Sequence, residues 1–152
     1  MAVILDASVF VEAERGTFDL SALLETRGDE PVGIAAVTAS ELLHGVERAA
    51  DQPTRSRRHQ FVERIVTDFP ILPFGLAEAR EHARLWAGLA GSGALIGAHD
   101  MLIAATALTR GAAVATLNLR EFSRVPGLTI VPVTPFMLAK VRRPLSPRAR
   151  PR

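Results

Sequence analysis

Short apolar runs separated by longer segments with helical periodicity are the feature that most constrains the fold of this chain. The runs are too short to be helices and are rich in Val, Ile, Leu and Ala, as buried strands are. They lie at residues 2–5, 33–37, 71–74, 112–117 and 128–133. Strands that alternate with helices build a parallel sheet covered on both faces. The sequence therefore predicts an α/β domain with a central, mostly parallel sheet of about five strands flanked by helices on both faces.

The segments between these runs predict helices from their apolar spacing and end signals. They span residues 8–15, 19–27, 53–69, 76–90, 99–110 and 118–123. A further helix is predicted from Thr38, because Thr38-Ala39-Ser40-Glu41 matches a capping box. Pro73 interrupts the run at residues 71–74, and proline is confined to edges or ends of sheets, so this strand is predicted at an edge.

The residue types that are missing exclude several kinds of site and location. The chain of 152 residues has no cysteine, which excludes a disulfide framework, a thiolate nucleophile and a cysteine-based metal site. The first residues lack the basic region of a signal peptide. Every apolar stretch is shorter than a membrane span. We therefore expect a cytoplasmic protein with no membrane partner.

Charge divides the chain near residue 140. All 16 acids and 12 of the 18 bases lie before that residue, so residues 1–139 carry a net charge of −4. Residues 140–152 hold the other six bases, no acid and three prolines. We expect residues 1–139 to form a single domain and residues 140–152 to be a basic, disordered tail. Such a tail either contacts polyanions or is simply solvated.

Polar side chains follow several of the predicted strands and point to one site. Asp6 directly follows the first strand, Glu41 and Asp100 lie in the first turns of two helices, and Asn118 with Glu121 follows the strand at 112–117. The carboxyl ends of parallel strands share one edge of a sheet, where ligands bind. We expect Asp6, Glu41 and the Asn118–Glu121 group to gather there, joined by Asp100 if its helix starts at that edge.

Each of these residues also has a structural interpretation as a helix cap or a first-turn acid. Capping does not require several carboxylates to lie close together, however. Carboxylates that lie close together repel one another, and this repulsion raises their pKa values. A divalent cation relieves that repulsion, and oxygen ligands suit Mg²⁺ or Mn²⁺. The pattern therefore favours a metal site able to support phosphodiester hydrolysis.

Four motifs resemble those of the PIN-domain nucleases, and most of all the VapC ribonuclease toxins of type II toxin–antitoxin systems. The matching segments are Ile4-Leu5-Asp6-Ala7-Ser8, Ser40-Glu41-Leu42-Leu43-His44-Gly45, His99-Asp100-Met101-Leu102-Ile103-Ala104-Ala105 and Thr116-Leu117-Asn118-Leu119-Arg120-Glu121-Phe122. The resemblance covers roughly residues 2–138 and implies a PIN-like fold. It also implies a Mg²⁺-dependent endoribonuclease, with Mn²⁺ as a second possible ion. Its implied partners are an RNA substrate, a cognate antitoxin protein and a second copy in a homodimer.

By motif, the resemblance implies that Asp6, Glu41 and Asp100 are the metal-binding acids and that Asn118 completes the catalytic set. Thr116 would support the rim of the site. The family often has an acid at the position of Asn118 or Glu121; here Asn118 is neutral, and Glu121 either supplies the fourth carboxylate or caps its helix. Ser8 is expected to cap the first helix, with a hydrogen bond to Asp6 as the alternative.

The remaining polar residues have weaker functional interpretations. The cluster of Arg55, Arg57 and Arg58 either binds RNA phosphates or forms a solvated helix face. His44 and His99 lie beside motif acids, but the proposed chemistry needs no histidine, and both are expected to be ordinary surface or core residues.

Two other functions stay open at this point. One is a catalytically silent nucleic-acid-binding module that keeps the PIN-like fold. The other is a Mg²⁺-dependent phosphatase with Asp6 as nucleophile. That chemistry usually needs an Asp-x-Asp motif and a phosphate-binding lysine, whereas here Ala7 and Ser8 follow Asp6 and the only lysine is Lys140.

Overall fold

The structure, a computed structural model, describes residues 1–139, and the predicted tail at residues 140–152 lies outside the described residues. Its centre is a five-stranded parallel sheet in the order β3-β2-β1-β4-β5. The strands are β1 (Val3–Leu5), β2 (Val32–Ala35), β3 (Ile71–Leu72), β4 (Ala113–Ala115) and β5 (Ile130–Val131). The predicted fold class is confirmed, and β3 lies at an edge as Pro73 indicated.

Seven α-helices connect or follow the strands within residues 1–139. They are α1 (Ala7–Glu14), α2 (Leu20–Arg27), α3 (Ala36–Glu47), α4 (Gln52–Asp68), α5 (Leu76–Gly91), α6 (Ala98–Arg110) and α7 (Leu119–Phe122). A 3₁₀ turn at Thr134–Phe136 follows β5. No helix in this part of the chain is both long and apolar enough to cross a lipid bilayer.

The core has two layers, one on each face of the sheet. Along β1, Val3 and Leu5 pack into one layer and Ile4 into the other, because successive side chains of a strand point to opposite faces. The first layer is completed mainly by α1, α2, α3 and α4, and the second by α5, α6 and α7. All three residues of β1 and of β4 are buried, as expected for parallel strands covered on both sides.

The start of α3 differs from the sequence prediction. The helix begins at Ala36 directly after β2, so Thr38 is its third residue and not its N-cap. The predicted capping box is therefore wrong, and Glu41 lies in the second turn. The early start places Ala39, Leu42 and Val46 on one buried helical face. Thr38 is itself buried, and its Oγ1 makes no hydrogen bond with any residue between 1 and 139.

We predict that Gly33→Ala destabilises the sheet between β2 and β3. A Cβ at Gly33 would stand 2.8 Å from the carbonyl oxygen of Pro70. That oxygen cannot retreat freely, because it accepts a hydrogen bond from the Ile34 amide at 3.0 Å. Overpacking of this kind costs about 1–3 kcal/mol in the free energy of unfolding, measurable by urea denaturation.

Gly88→Ala is the matched control. Gly88 lies inside α5, and a Cβ there would meet no atom within 4 Å. Alanine should therefore raise stability by about 0.5–1 kcal/mol. If both substitutions shift the urea midpoint in the same direction, the steric argument for Gly33 is wrong.

Candidate functional site

Asp6 is the deepest acid of the site. It follows β1 directly, its exposed fraction is only 4%, and it occupies the N-cap position of α1 without capping the helix with its side chain. Instead Oδ2 accepts hydrogen bonds from Ser8 Oγ at 2.7 Å and from Thr116 Oγ1 at 2.8 Å. The hydrogen bonds of the described residues thus reach Oδ2 and leave Oδ1 available to a ligand.

Ser8 and Thr116 are themselves held by the backbone beyond β4. Ser8 Oγ accepts from the Leu117 amide at 3.1 Å, and Thr116 Oγ1 accepts from the Asn118 amide at 2.9 Å. Each hydroxyl has a single hydrogen, and since it acts as acceptor toward the backbone amide, that hydrogen is donated to Asp6. The expectation that Ser8 caps α1 is therefore wrong, and the bond to Asp6 is the one formed.

Glu41 and Asp100 complete the acidic centre from α3 and α6. The pKa of Asp100 is raised to about 6, first by burial and then by the negative charges of Asp6, Glu41 and Glu121. The pKa of Glu41 is raised by burial and by Asp6. These mutual effects mean that acids distant in sequence share one region at the carboxyl edge of the sheet, as predicted.

His99 is the residue at this site whose contact was missed from sequence. Its Nδ1 stands 2.9 Å from Glu41 Oε1, while the side chain stays 61% exposed. This contact lowers the pKa of Glu41 and so opposes part of the rise that burial causes. The only sequence signal was that His99 directly precedes Asp100.

The spacing of Asn118 and Glu121 suggests that they cap α7, but neither side chain does so. Asn118 stands at the N-cap position of α7, but its Nδ2 donates to Asp100 Oδ2 at 2.8 Å. Glu121 Oε2 accepts from the backbone amide of Gly97 at 3.0 Å, at the start of α6. Both side chains therefore connect the region after β4 with the helix that carries Asp100.

The donors of this centre fit a hard cation better than a soft one. Asp6, Glu41 and Asp100 offer carboxylate oxygens, which Mg²⁺ and Mn²⁺ prefer, and the raised pKa values of Glu41 and Asp100 reflect burial and the negative charge of neighbouring acids. Among residues 1–139, no three His, Asp or Glu side chains already stand together at ligating distances. The fit to a hard cation therefore rests on the oxygen chemistry of these donors.

The three arginines of α4 are placed differently from one another. Arg55 binds Glu47 through Nη2 at 2.9 Å, and Arg58 binds Glu14 through Nε at 3.2 Å. Arg57 is exposed. Their assignment to RNA binding stays a prediction.

Comparison with known proteins identifies the family. A family model for the PIN domain matches residues 3–128, which is most of the chain. The chain belongs to the PIN domain family. A relative named ribonuclease VapC1, from Rickettsia felis, is 36% identical over 137 residues, covering 88% of this chain and 98% of that relative. The family inferred from the four motifs, PIN nucleases of the VapC type, is confirmed.

Solved structures of VapBC proteins share the fold. The DNA-bound VapBC of Salmonella typhimurium matches with a TM-score of 0.77 and 26% identity, over 86% of this chain and 97% of that one. VapBC-5 of Mycobacterium tuberculosis, described as a member of a toxin–antitoxin family, matches with a TM-score of 0.68 and 31% identity over the same shares. The PIN fold therefore extends over the described domain.

We predict that Asp100→Asn stabilises the metal-free protein at pH 7.5. The substitution removes a charge that three other acids repel, and it should add about 1 kcal/mol to the free energy of unfolding after allowance for solvent screening. For a chain of this size that corresponds to a rise of about 2–4 °C in Tm. Thermal melts in EDTA measure it, and a fall in Tm would indicate that Asp100 mainly stabilises the start of α6.

The gain should depend on pH with a defined sign. The pKa of Asp100 in the folded state, about 6, is raised above its ordinary value of 3.8, so the wild type suffers the full repulsion above pH 6. As the pH falls through 6, protonation relieves that repulsion. The Tm difference between Asp100→Asn and wild type should therefore shrink between pH 7.5 and pH 5; a constant difference would contradict the electrostatic origin.

Thr116→Val should weaken the anchoring of Asp6. Valine keeps the shape of threonine but removes the donor to Asp6 and the acceptor for the Asn118 amide. Because Thr116 is fully buried, the loss should cost about 1–3 kcal/mol in urea unfolding. Thr116→Ser loses only the methyl group, keeps the hydroxyl and is the control for the hydrogen bonds; an unchanged free energy of unfolding in Thr116→Val would contradict the anchoring role.

Proposed function

We propose that this protein is a Mg²⁺-dependent endoribonuclease that hydrolyses RNA phosphodiester bonds and serves as the toxin of a type II toxin–antitoxin module. The observation that carries the proposal is the grouping of Asp6, Glu41 and Asp100 at the carboxyl edge of the sheet, where burial and the charge of Asp6 raise the pKa values of Glu41 and Asp100. The VapC ribonuclease name of the Rickettsia felis relative supports the same activity.

Asp6, Glu41 and Asp100 would hold the ion, with Mn²⁺ as an alternative to Mg²⁺. When bound, such an ion lowers the pKa of a water ligand and neutralises charge on a phosphate. Ser8 and Thr116 fix Asp6 through Oδ2, so Oδ1 needs little reorganisation. Asn118 orients Asp100 through the bond from Nδ2. Through these contacts the chain positions the oxygen ligands and concentrates negative charge at the site before a cation binds.

The neutral Asn118 favours one firmly held ion over two. Its Nδ2 donates one hydrogen bond to Asp100, whereas an acid at this position would offer a further ligand to a metal ion. Glu121 adds negative charge near Asp100, but its Oε2 is engaged by the Gly97 amide. A second ion would therefore depend on oxygens of the RNA phosphate.

The proposed partners are RNA, a cognate antitoxin protein and a second copy of the chain. The VapBC names of the structural neighbours from Salmonella typhimurium and Mycobacterium tuberculosis support the antitoxin. Homodimer formation stays a prediction from the family resemblance.

One assay separates this function from its alternatives. Purified full-length protein is incubated with an RNA oligonucleotide, and in parallel with a phosphate monoester, in Mg²⁺, in Mn²⁺ or in EDTA. We expect RNA cleavage in either metal and none in EDTA. Release of inorganic phosphate from the monoester without RNA cleavage would favour the phosphatase, and RNA binding without cleavage would favour the silent module.

Asp6→Asn and Asp100→Asn should each lower the cleavage rate by about 100-fold or more, because loss even of a residue that supports a metal ligand costs about 10- to 100-fold. Asp29→Asn, in an exposed bend outside the site, is the matched control and should cleave at the wild-type rate. Cleavage that survives both site substitutions would place the active site elsewhere.

A further inference from the structure

A groove between α1, α3 and α4 begins at the acidic centre and leads away from it. Its volume is about 410 Å³, and Glu41 is one of its lining residues. The other lining residues are four apolar side chains, one glycine, one acid and three arginines. They are Ala7, Val11, Leu42, Val62, Gly45, Glu14, Arg15, Arg48 and Arg58. An open groove that shares a wall residue with a candidate active site is a natural path for an extended substrate.

The helix α3 forms one wall and gives the groove its direction. Glu41, Gly45 and Arg48 are spaced by four and three residues, so they lie along one helical face. Seven residues of helix span roughly 10 Å. Arg48 therefore lies roughly 10 Å along the groove from the carboxylate of the acidic centre.

Gly45 and Arg58 fix a positive charge in the middle of this path. Arg58 Nη1 donates to the Gly45 carbonyl oxygen at 2.8 Å, and its Nε donates to Glu14 Oε1 at 3.2 Å. Arg58 lies close against α3, because a Cβ at Gly45 would stand at van der Waals distance, 3.8 Å, from Arg58 Cδ. A guanidinium has five N–H donors, and these two bonds leave others for a ligand.

Arg48 carries a positive charge that no acid of the described domain pairs with. It is exposed and forms no ion pair or side-chain hydrogen bond with any residue in the described domain. Arg15, at 67% side-chain exposure, adds a third positive charge and binds Glu12. These charges stand in a domain whose net charge is −4. Planar guanidinium groups match the oxygens of a phosphate.

We propose that this groove binds the backbone of single-stranded RNA on one side of the scissile bond, with Arg48 and Arg58 contacting phosphates and Val11 and Leu42 contacting sugars and bases. The proposal rests on the ribonuclease function and extends it to a substrate-binding site outside the metal centre. The same groove as a docking site for a protein helix is the competing occupant, and the following experiment distinguishes the two.

The experiment measures RNA binding separately from cleavage. Fluorescence anisotropy of a labelled single-stranded RNA oligonucleotide gives Kd for the full-length protein in EDTA, over a series of salt concentrations. One lost phosphate contact lowers the slope of log K against log salt by about 0.7, which amounts to about fivefold in Kd at 0.1 M salt. We expect this change for Arg48→Gln, with an unchanged Tm because the side chain is exposed.

Arg80→Gln is the matched control, since Arg80 is an exposed arginine on α5 and does not line the groove. It should leave Kd and the salt slope at their wild-type values. Equal weakening by Arg48→Gln and Arg80→Gln would overturn the proposal, because the binding would then follow total charge. An unchanged Kd for Arg48→Gln would overturn it as well, whether or not this variant loses binding to a partner protein.

Failure of the groove and failure of the proposed function give different results. If the wild type does not cleave RNA in Mg²⁺ while Arg48→Gln still weakens RNA binding, the groove stands and the nuclease function fails. If the wild type cleaves RNA and Arg48→Gln binds it with wild-type Kd and salt slope, the function stands and the groove proposal fails.

Discussion

The hydrogen bonds from Ser8 and Thr116 to Asp6 are the interaction on which the site depends. The bond from Thr116 connects the end of β1 with the end of β4, two neighbouring strands that are far apart in the sequence, and the bond from Ser8 is local. A buried carboxylate is costly unless its oxygens are satisfied, and here two hydroxyls supply that satisfaction. The same hydroxyls accept hydrogen bonds from the backbone amides of Leu117 and Asn118. The loop that carries Asn118 is therefore held in place beside Asp6.

The acidic centre lowers the stability of the fold. Burial and mutual repulsion raise the pKa values of Glu41 and Asp100, so the free energy of the metal-free fold is less favourable than that of a fold without these charges. Two polar neighbours moderate the cost: His99 contacts Glu41, and Asn118 donates to Asp100. These contacts engage Oε1 of Glu41 and Oδ2 of Asp100, one carboxylate oxygen of each acid.

Several elements of the fold followed directly from local sequence. Residues 53–69 predicted the long helix α4 to within one residue at each end, because Pro53 marks its start and the apolar spacing is regular. Pro73 predicted that β3 lies at an edge. The start of α3 was misplaced, because the match of Thr38 and Glu41 to a capping box was outweighed by the burial of Ala39, Leu42 and Val46 on one helical face.

The sequence by itself determined the alternation of strands and helices, the parallel sheet and the placement of Asp6, Glu41 and Asp100 near its carboxyl edge. These properties follow from hydrophobic periodicity and from the order of elements along the chain, both of which are local. Only the tertiary structure decided which atoms contact one another. Thr116 binds Asp6, Asn118 binds Asp100 and His99 contacts Glu41 because the sheet and α6 bring separate segments within hydrogen-bond distance. Such contacts depend on side-chain direction across elements, which sequence spacing does not specify.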